Sequence, residues 1–384
     1  HGVEVVEINN GPRPITTIRA SVIGLIGTAP DADADKFPEN TPVLIAGNRA
    51  EAAGLGDTGT LAAAVDDVFD QAGAVIVVIR VAEGADEAAT MAIIIVGIDN
   101  VTGDYEGVQA FLAAKSKVGV GPRILIAPGF TDDLAVTSEL LGLAERLRAI
   151  VVVDGPNTND ADALAYKAQI GSDRAYLVDP AVTVFDAVAE ASAVRPASAR
   201  VAGAIVKRDN EEGYWTSPSN QAIAGITGTA RAVDFAMGDP NSRANLLNEA
   251  GITTIIQQDG FRLWGNRTCS ADPKYAFLNV RRTADIIADS IMAAHLWAVD
   301  RNISRTYLED VVEGVNNYMR HLRSIGAIID GEAYADPDLN TPDQIEAGKV
   351  YIDFRFSANY PAEHITFRSH LVNDYLAEVL PVAA

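Results

Sequence analysis

The chain has 384 residues, enough for roughly two or three domains and for a sizeable core without disulfide or metal staples. Its formal net charge of −22 argues against binding nucleic acid or an anionic membrane surface, since both need clustered Lys and Arg. The single cysteine, Cys269, rules out an internal disulfide and a cysteine-based metal site, and no apolar run approaches the length of a membrane helix.

Residues 1–20, HGVEVVEINNGPRPITTIRA, open with a β-prone stretch carrying Val3, Val5, Val6 and Ile8. Pro12 and Pro14 then lack amide donors, so regular pairing stops and the segment reads as an extended arm. SVIGLIG at 21–27 is short, broken by glycine and preceded by Glu4 and Glu7, which fits a strand rather than a signal peptide. From 21 to about 265, strand-like and helix-like stretches alternate. Strands are expected at 43–46, 74–81, 124–127, 150–153, 175–178, 202–206 and 253–256, and helices at 61–72, 132–148 and 160–170. Most of the strands are continuous apolar runs, as strands buried on both faces should be, so the expected class is α/β with a largely parallel sheet.

From about 266 the pattern changes. Helices are expected at 283–300 and 306–325, the second opened by a capping box of Thr306 and Glu309 and closed by Gly326. Leu308, Val311, Val312, Val315, Met319 and Leu322 form its apolar stripe, and Asp310, Glu313, Asn317, Arg320 and Arg323 its polar face. KVYIDFRFS at 349–357 alternates well, with Val350, Ile352, Phe354 and Phe356 on one face, and HITFRSHLV at 364–372 reads as its partner strand. The chain ends in an apolar tail in which Leu376, Val379, Leu380 and Val382 would face water. Two such segments, one at each end, suggest strands donated to neighbouring subunits.

The chemical motifs are weak. GLGDTG at 54–59 fits G-x-G-x-x-G and is followed by a candidate helix, a strand and Glu83 where a ribose-binding acid would sit. The fingerprint needs its glycines directly after a strand; here GNRAEAA intervenes as a short helix, so the segment reads as a Gly-rich loop and no cofactor is expected. There is no G-x-S-x-G elbow, and His1, His295, His321, His364 and His370 form no obvious catalytic pattern with Ser and Asp in sequence. No H-E-x-x-H occurs, and the calcium-like stretches 31–36 and 336–341 carry Lys36 and Thr341 where glycine is needed, so no metal is expected. Trp215 and Trp264 suit a core, an interface or a carbohydrate pocket, and Arg262 and Arg267 beside Trp264 are available to pair with carboxylates.

Several longer motifs occur in a fixed order: SPSN (217–220), GITGTAR (225–231), ANLLNEAGITTI (244–255), DGFRLWGNRT (259–268), YADPDLN (334–340) and GKVYIDFRFS (348–357). With HGVEVVEINNGPRPI at the start and VDGPN at 153–157, they resemble the contractile tail sheath proteins of tailed bacteriophages and phage-derived bacteriocin particles across essentially the whole chain. The resemblance implies a structural protein rather than an enzyme, polymerised as stacked six-membered rings around a tail tube. It also implies a baseplate signal that triggers contraction, and tube and tail-terminator proteins as further partners. Nucleic acid and membrane insertion are not expected. The implied location is the virion tail or an extracellular phage-tail-like particle, assembled in the host bacterial cytoplasm. The implied organisation is an N-terminal arm (1–20), a subtilisin-like, non-catalytic outer α/β region (21–265), an inner α+β sheath domain meeting the tube (266–372) and a C-terminal arm (373–384). Strand exchange would then involve the named valines, leucines and isoleucines of both arms, with Val350, Ile352 and Phe354 on the acceptor sheet. Arg320 and Arg323 are candidates for contact with an acidic tube. The alternatives are an α/β enzyme holding a nucleotide at the Gly-rich loop, and a static tube or capsid protein.

Overall fold

The computed structural model describes residues 14–186 and 190–375. Its centre is a six-stranded sheet of β1 (Val22–Thr28), β2 (Val43–Ala46), β3 (Val75–Val81), β4 (Ile124–Ile126), β5 (Ile150–Asp154) and β6 (Ala175–Val178). The strand order is β2-β3-β1-β4-β5-β6, and every neighbouring pair is parallel except β2 with β3. The connections carry α1 (Leu61–Phe69), α2 (Glu87–Ile95), α3 (Ala114–Val118), α4 (Leu134–Leu147) and α5 (Asp160–Ala168), and α6 (Ser198–Glu212) follows. The expected mixed α/β class with a parallel sheet is therefore the observed one.

The continuous apolar runs have a direct structural cause. Side chains alternate across a strand, so each strand feeds two cores. Ile23, Leu25, Ile76, Val78, Ile150 and Val152 join α1 and α6 on one side. Val22, Ile26, Val77, Ile79, Val151 and Val153 join α4 and α5 on the other. Gly27 of β1 is required by a close approach: a Cβ there would lie 2.2 Å from the Thr60 hydroxyl at the start of α1.

Residues 202–206, expected as a strand, are instead the fully buried middle of α6. The apolar run AGAIV is too short for periodicity to separate a buried strand from a buried helix, and packing between α1 and the sheet decides. On either side of α6 in the chain, β7 (Val182–Asp186) and β8 (Ala191–Arg195) before it and β9 (Gly228–Thr229) after it form a three-stranded antiparallel sheet. α7 (Arg243–Glu249) then leads into a hairpin of β10 (Thr254–Gln257) and β11 (Phe261–Trp264).

The last part of the chain holds α8 (Leu278–Ala294), α9 (Arg305–Ser324), β12 (Ile328–Ala335), α10 (Pro342–Glu346) and β13 (Ile352–Ala358). The helix expected at 283–300 starts earlier and stops at Ala294, with a short 3-10 turn at Leu296–Ala298. α9 matches the helix expected at 306–325, but its cap differs. Ser304 accepts the Tyr307 amide, while Glu309 pairs with Arg305 rather than closing a capping box. The partner of β13 is β12, not residues 364–372, which form neither helix nor strand and are exposed throughout. Val350 precedes the strand rather than belonging to it.

α8 is fastened to the α/β body by ion pairs. Arg174 meets Asp285 at 2.6 Å with both side chains buried, and Arg282 meets Asp209 at 2.7 Å. Arg123 and Arg148, just ahead of β4 and β5, both bind Asp289, and Arg281 reaches Asp173 at 3.1 Å. Charges this deeply buried are costly unless paired in one geometry, so the seam fixes the orientation of α8.

Candidate assembly interface

The ribbon of β12 and β13 is a two-stranded sheet, and its two edges are not equivalent. On β12, the Asn316 side chain of α9 donates to the Ala333 carbonyl at 3.0 Å and accepts the Ala333 amide at 2.7 Å. Both backbone groups of Ala333 therefore point away from β13, and α9 caps that edge. Ala333 lies opposite Phe354. In an antiparallel ladder the backbone groups of Phe354 then also point outward, as do those of Ile352 and Phe356. No other strand pairs with that edge among the described residues. Cross-strand partners share a face, so Gly331, Ala333, Phe354 and Phe356 lie on one side and Asp330, Glu332, Asp353 and Arg355 on the other. Met319 of α9 lies close to Gly331, which makes the first set the α9 side.

Both ends of the described chain are rooted beside this ribbon. Ile15 and Phe356 pack on one cluster with Val315, Tyr318, Met319 and Leu322. The Thr17 hydroxyl lies 3.1 Å from the Tyr318 hydroxyl, and the Ile18 amide donates to Ser290 at 3.1 Å. On the C-terminal side, Asn279 donates to the carbonyls of Trp215 and Asn359, Tyr360 meets Phe277 edge-on, and Arg267 binds Glu363 at 2.6 Å. Beyond Glu363 the side chains face solvent: Phe367 is 91% and Leu371 103% exposed. A soluble chain rarely leaves such a row uncovered.

The Gly-rich loop holds no empty anion cradle. The amides of Asp57 and Thr58 and the Thr58 hydroxyl all donate to the Asp31 carboxylate, so the chain's own acid fills the nest. Those bonds, the Thr58 hydroxyl first, hold the Asp31 carboxyl down at about 2. Gly56 has φ +74, and a Cβ there would lie 2.5 Å from that carboxyl.

The Asp154–Ser198 pair is fully buried between β5 and α6. Ser198 donates its amide and hydroxyl to Asp154, and the Asp154 amide donates to Thr131 at 2.9 Å. The four described histidines make no hydrogen bond to either residue: His295 contacts the Ile291 carbonyl and His364 the Thr366 hydroxyl. Among the described residues, no group of three acids, histidines or cysteines is placed to hold a metal, and no helix is long and apolar enough to cross a membrane. Trp215 packs edge-on against Tyr214. Trp264 lines a polar cleft of about 510 Å³ with Asn245, Asn248, Arg267 and Glu363.

Comparison with known proteins agrees along the whole chain. Residues 20–81 match the family model of the tail sheath protein Gp18 domain III N-terminal region, 102–269 the phage tail sheath protein central domain, and 270–371 the phage tail sheath C-terminal domain. A prophage major tail sheath protein of Pseudomonas aeruginosa strain UCBPP-PA14 is 46% identical over 384 residues, covering 100% of this chain and 99% of the relative. The chain belongs to the phage tail sheath protein family. The tail sheath protein of Escherichia phage P2 is 38% identical, over 99% of this chain and 97% of the relative. The sheath fold also recurs at lower identity. The anti-feeding prophage helical sheath in its contracted state matches with a TM-score of 0.72 at 22% identity, over 96% of this chain and 98% of the other. The PVC sheath complex of an extracellular contractile injection system, also contracted, matches with a TM-score of 0.72 at 18% identity, over 96% of this chain and 97% of the other.

Within this sheath chain the sequence-derived sites fall in three places. Ile352 and Phe354 lie on the open edge of β13, with Val350 just before it. Val3, Val5, Val6, Ile8, Leu376, Val379, Leu380 and Val382 lie outside the described residues. Arg320 and Arg323 are on the exposed face of α9, where Arg320 bonds Glu313 and Asn317 and Arg323 lies 3.5 Å from Asp330. Asn316, which decides which edge is open, escaped sequence reading. Its only signal is a polar side chain directly after Val315 of the apolar stripe.

Proposed function

We propose that the chain is the repeating subunit of a contractile tail sheath, stacked as six-membered rings around a tail tube. In this reading a baseplate signal releases contraction, and the tube is driven through a bacterial envelope. The subunit has no enzymatic role and no resident cofactor. The particle is a phage tail or an extracellular phage-tail-like device, put together in the host cytoplasm, with the tube, baseplate and terminator proteins as partners. The α/β region is the subtilisin-like outer body, and the part from about 266 is the inner domain.

The observation that carries this reading is the open edge of β13 beside two chain ends that leave the body next to it. A neighbour's arm adds a strand along Ile352–Phe356, gaining main-chain hydrogen bonds that no single subunit supplies. The donated C-terminal segment begins after Glu363 rather than at 373, because every side chain from 364 to 375 is exposed. The filled Gly-rich nest, and a Ser198 that bonds Asp154 with no imidazole beside it among the described residues, support a structural over an enzymatic role.

Deleting residues 1–14 or 373–384 abolishes polymerisation and leaves a folded monomer, seen as dispersed particles by negative-stain electron microscopy with native circular dichroism. Normal hollow tubes from either truncated chain would sink the strand-donation reading. Arg320 and Arg323 face the tube; reversing both charges weakens tube-templated assembly, and unchanged assembly leaves them as a solvated helix face.

A further inference from the structure

Two surface turns away from the ribbon both carry exposed apolar side chains, one rimmed by acids alone and the other by arginines among acids. The first lies between α2 and the 3-10 segment Gly107–Ala113. Val96, Ile98, Val101 and Tyr105 are exposed there, Val101 at 93%. The turn is well built: Ile98 bridges to Tyr105, Asp99 accepts the Val101 amide at 2.7 Å, and the Glu106 amide donates to Gly97. Asp99, Asp104 and Glu106 rim it, with no Lys or Arg in residues 96–106. The second lies between α8 and α9. Met292, Leu296 and Val299 are exposed, Leu296 at 79%. Its rim mixes arginines and acids: Arg148 held by Asp289, Arg301 stacked over Trp297 beside Asp300, and Arg305 paired with Glu309.

The turns sit at opposite ends of the parallel sheet. Asn40 accepts the Gly107 amide and donates its own to Arg80, near the C-terminal end of β3, which places the acidic turn there. Arg123 and Arg148 precede β4 and β5 and hold Asp289 of α8, which places the arginine turn at the N-terminal end. The two cannot meet within one chain. Between copies they meet head to tail, and a heterologous contact that does not close on itself builds a helical filament.

We propose that the 96–106 turn of one subunit docks on the 292–301 turn of a second copy, an apolar centre inside a ring of opposite charges. This body-to-body contact is separate from the arms and rests on the self-assembly reading above.

Cross-linking of the full-length chain tests it, because the one native cysteine, Cys269, is buried. Val101→Cys with Leu296→Cys in one chain gives, on mild oxidation, a covalent ladder of dimers, trimers and longer species. Either substitution alone gives no ladder, and an equal mixture of the two single variants stops at dimers. A double variant that forms no ladder overturns the proposal. Charge exchange is the second arm. Asp104→Lys with Glu106→Lys, or Arg301→Glu with Arg305→Glu, lowers the polymer yield about tenfold, and all four together restore it. Failure of the fourfold variant to recover, with native circular dichroism, overturns the pairing. Double-variant polymers without a ladder defeat this contact alone, whereas arm-deleted double-variant chains that still polymerise and ladder defeat only strand donation.

Discussion

Asp154 sits at the end of β5 with its carboxylate taken up by the amide and hydroxyl of Ser198. Burial outweighs these bonds and pushes it up to about 6, against 3.8 for a free carboxyl. In the unfolded chain it ionises near 3.8, so below that pH both states carry the proton and the folded state keeps its full advantage. As pH rises through about 6 the folded state must bury a charge, and the advantage, about 3 kcal/mol for a shift of this size, is lost. Asp154→Asn keeps the shape and offers the Ser198 hydroxyl a donor. Its stability, followed by thermal denaturation from about pH 4 to about pH 7, is expected to depend less steeply on pH than that of the wild type; an equal slope would mean that Asp154 does not titrate there.

At the scale of elements, the ribbon turns main-chain geometry into a prediction. The Phe354 amide points away from β12, so proline there removes no bond of the β12–β13 ladder and proline is tolerated at such an edge. Phe354→Pro is expected to leave a folded monomer that no longer polymerises, whereas Phe354→Ala, which keeps the outward amide, still assembles. Equal assembly by the two, measured by sedimentation, would show that the edge is not used. Much of this architecture is legible in the sequence, because buried parallel strands are unbroken apolar runs, as in residues 75–81 and 150–153, and α9 carries its own periodicity. The remainder depends on distant partners. Residues 202–206 are helical because α1 and the sheet enclose them, β13 pairs with residues 17 to 30 positions earlier, and nothing local marks Asn316 as an edge cap. The alternating pattern marked β13 as a strand but assigned it the wrong neighbour.

For the whole molecule, the α8 seam is the deciding feature. Arg282 and Asp209 are both buried and both needed, since removing one leaves the other as an unpaired charge. Arg282→Ala is expected to lower stability by about 3–5 kcal/mol. Arg282→Met with Asp209→Leu replaces the pair by packing and is expected to cost far less. Chemical denaturation of the two variants checks this, and equal losses would mean that the charges themselves, rather than their mutual compensation, matter. With this seam intact, α8 stays fixed to the α/β body.

Ile15 and Phe356 touch the same cluster although they come from opposite ends of the chain. If arms link neighbouring copies, pulls through the two ends reach the same corner of the body, the C-terminal one through Asn359 and the Arg267–Glu363 pair. Opposed pulls whose lines meet near one corner form almost no turning couple. A lattice joined through donated arms would behave like chain mail: each link turning through a large angle while the distance between links stays fixed.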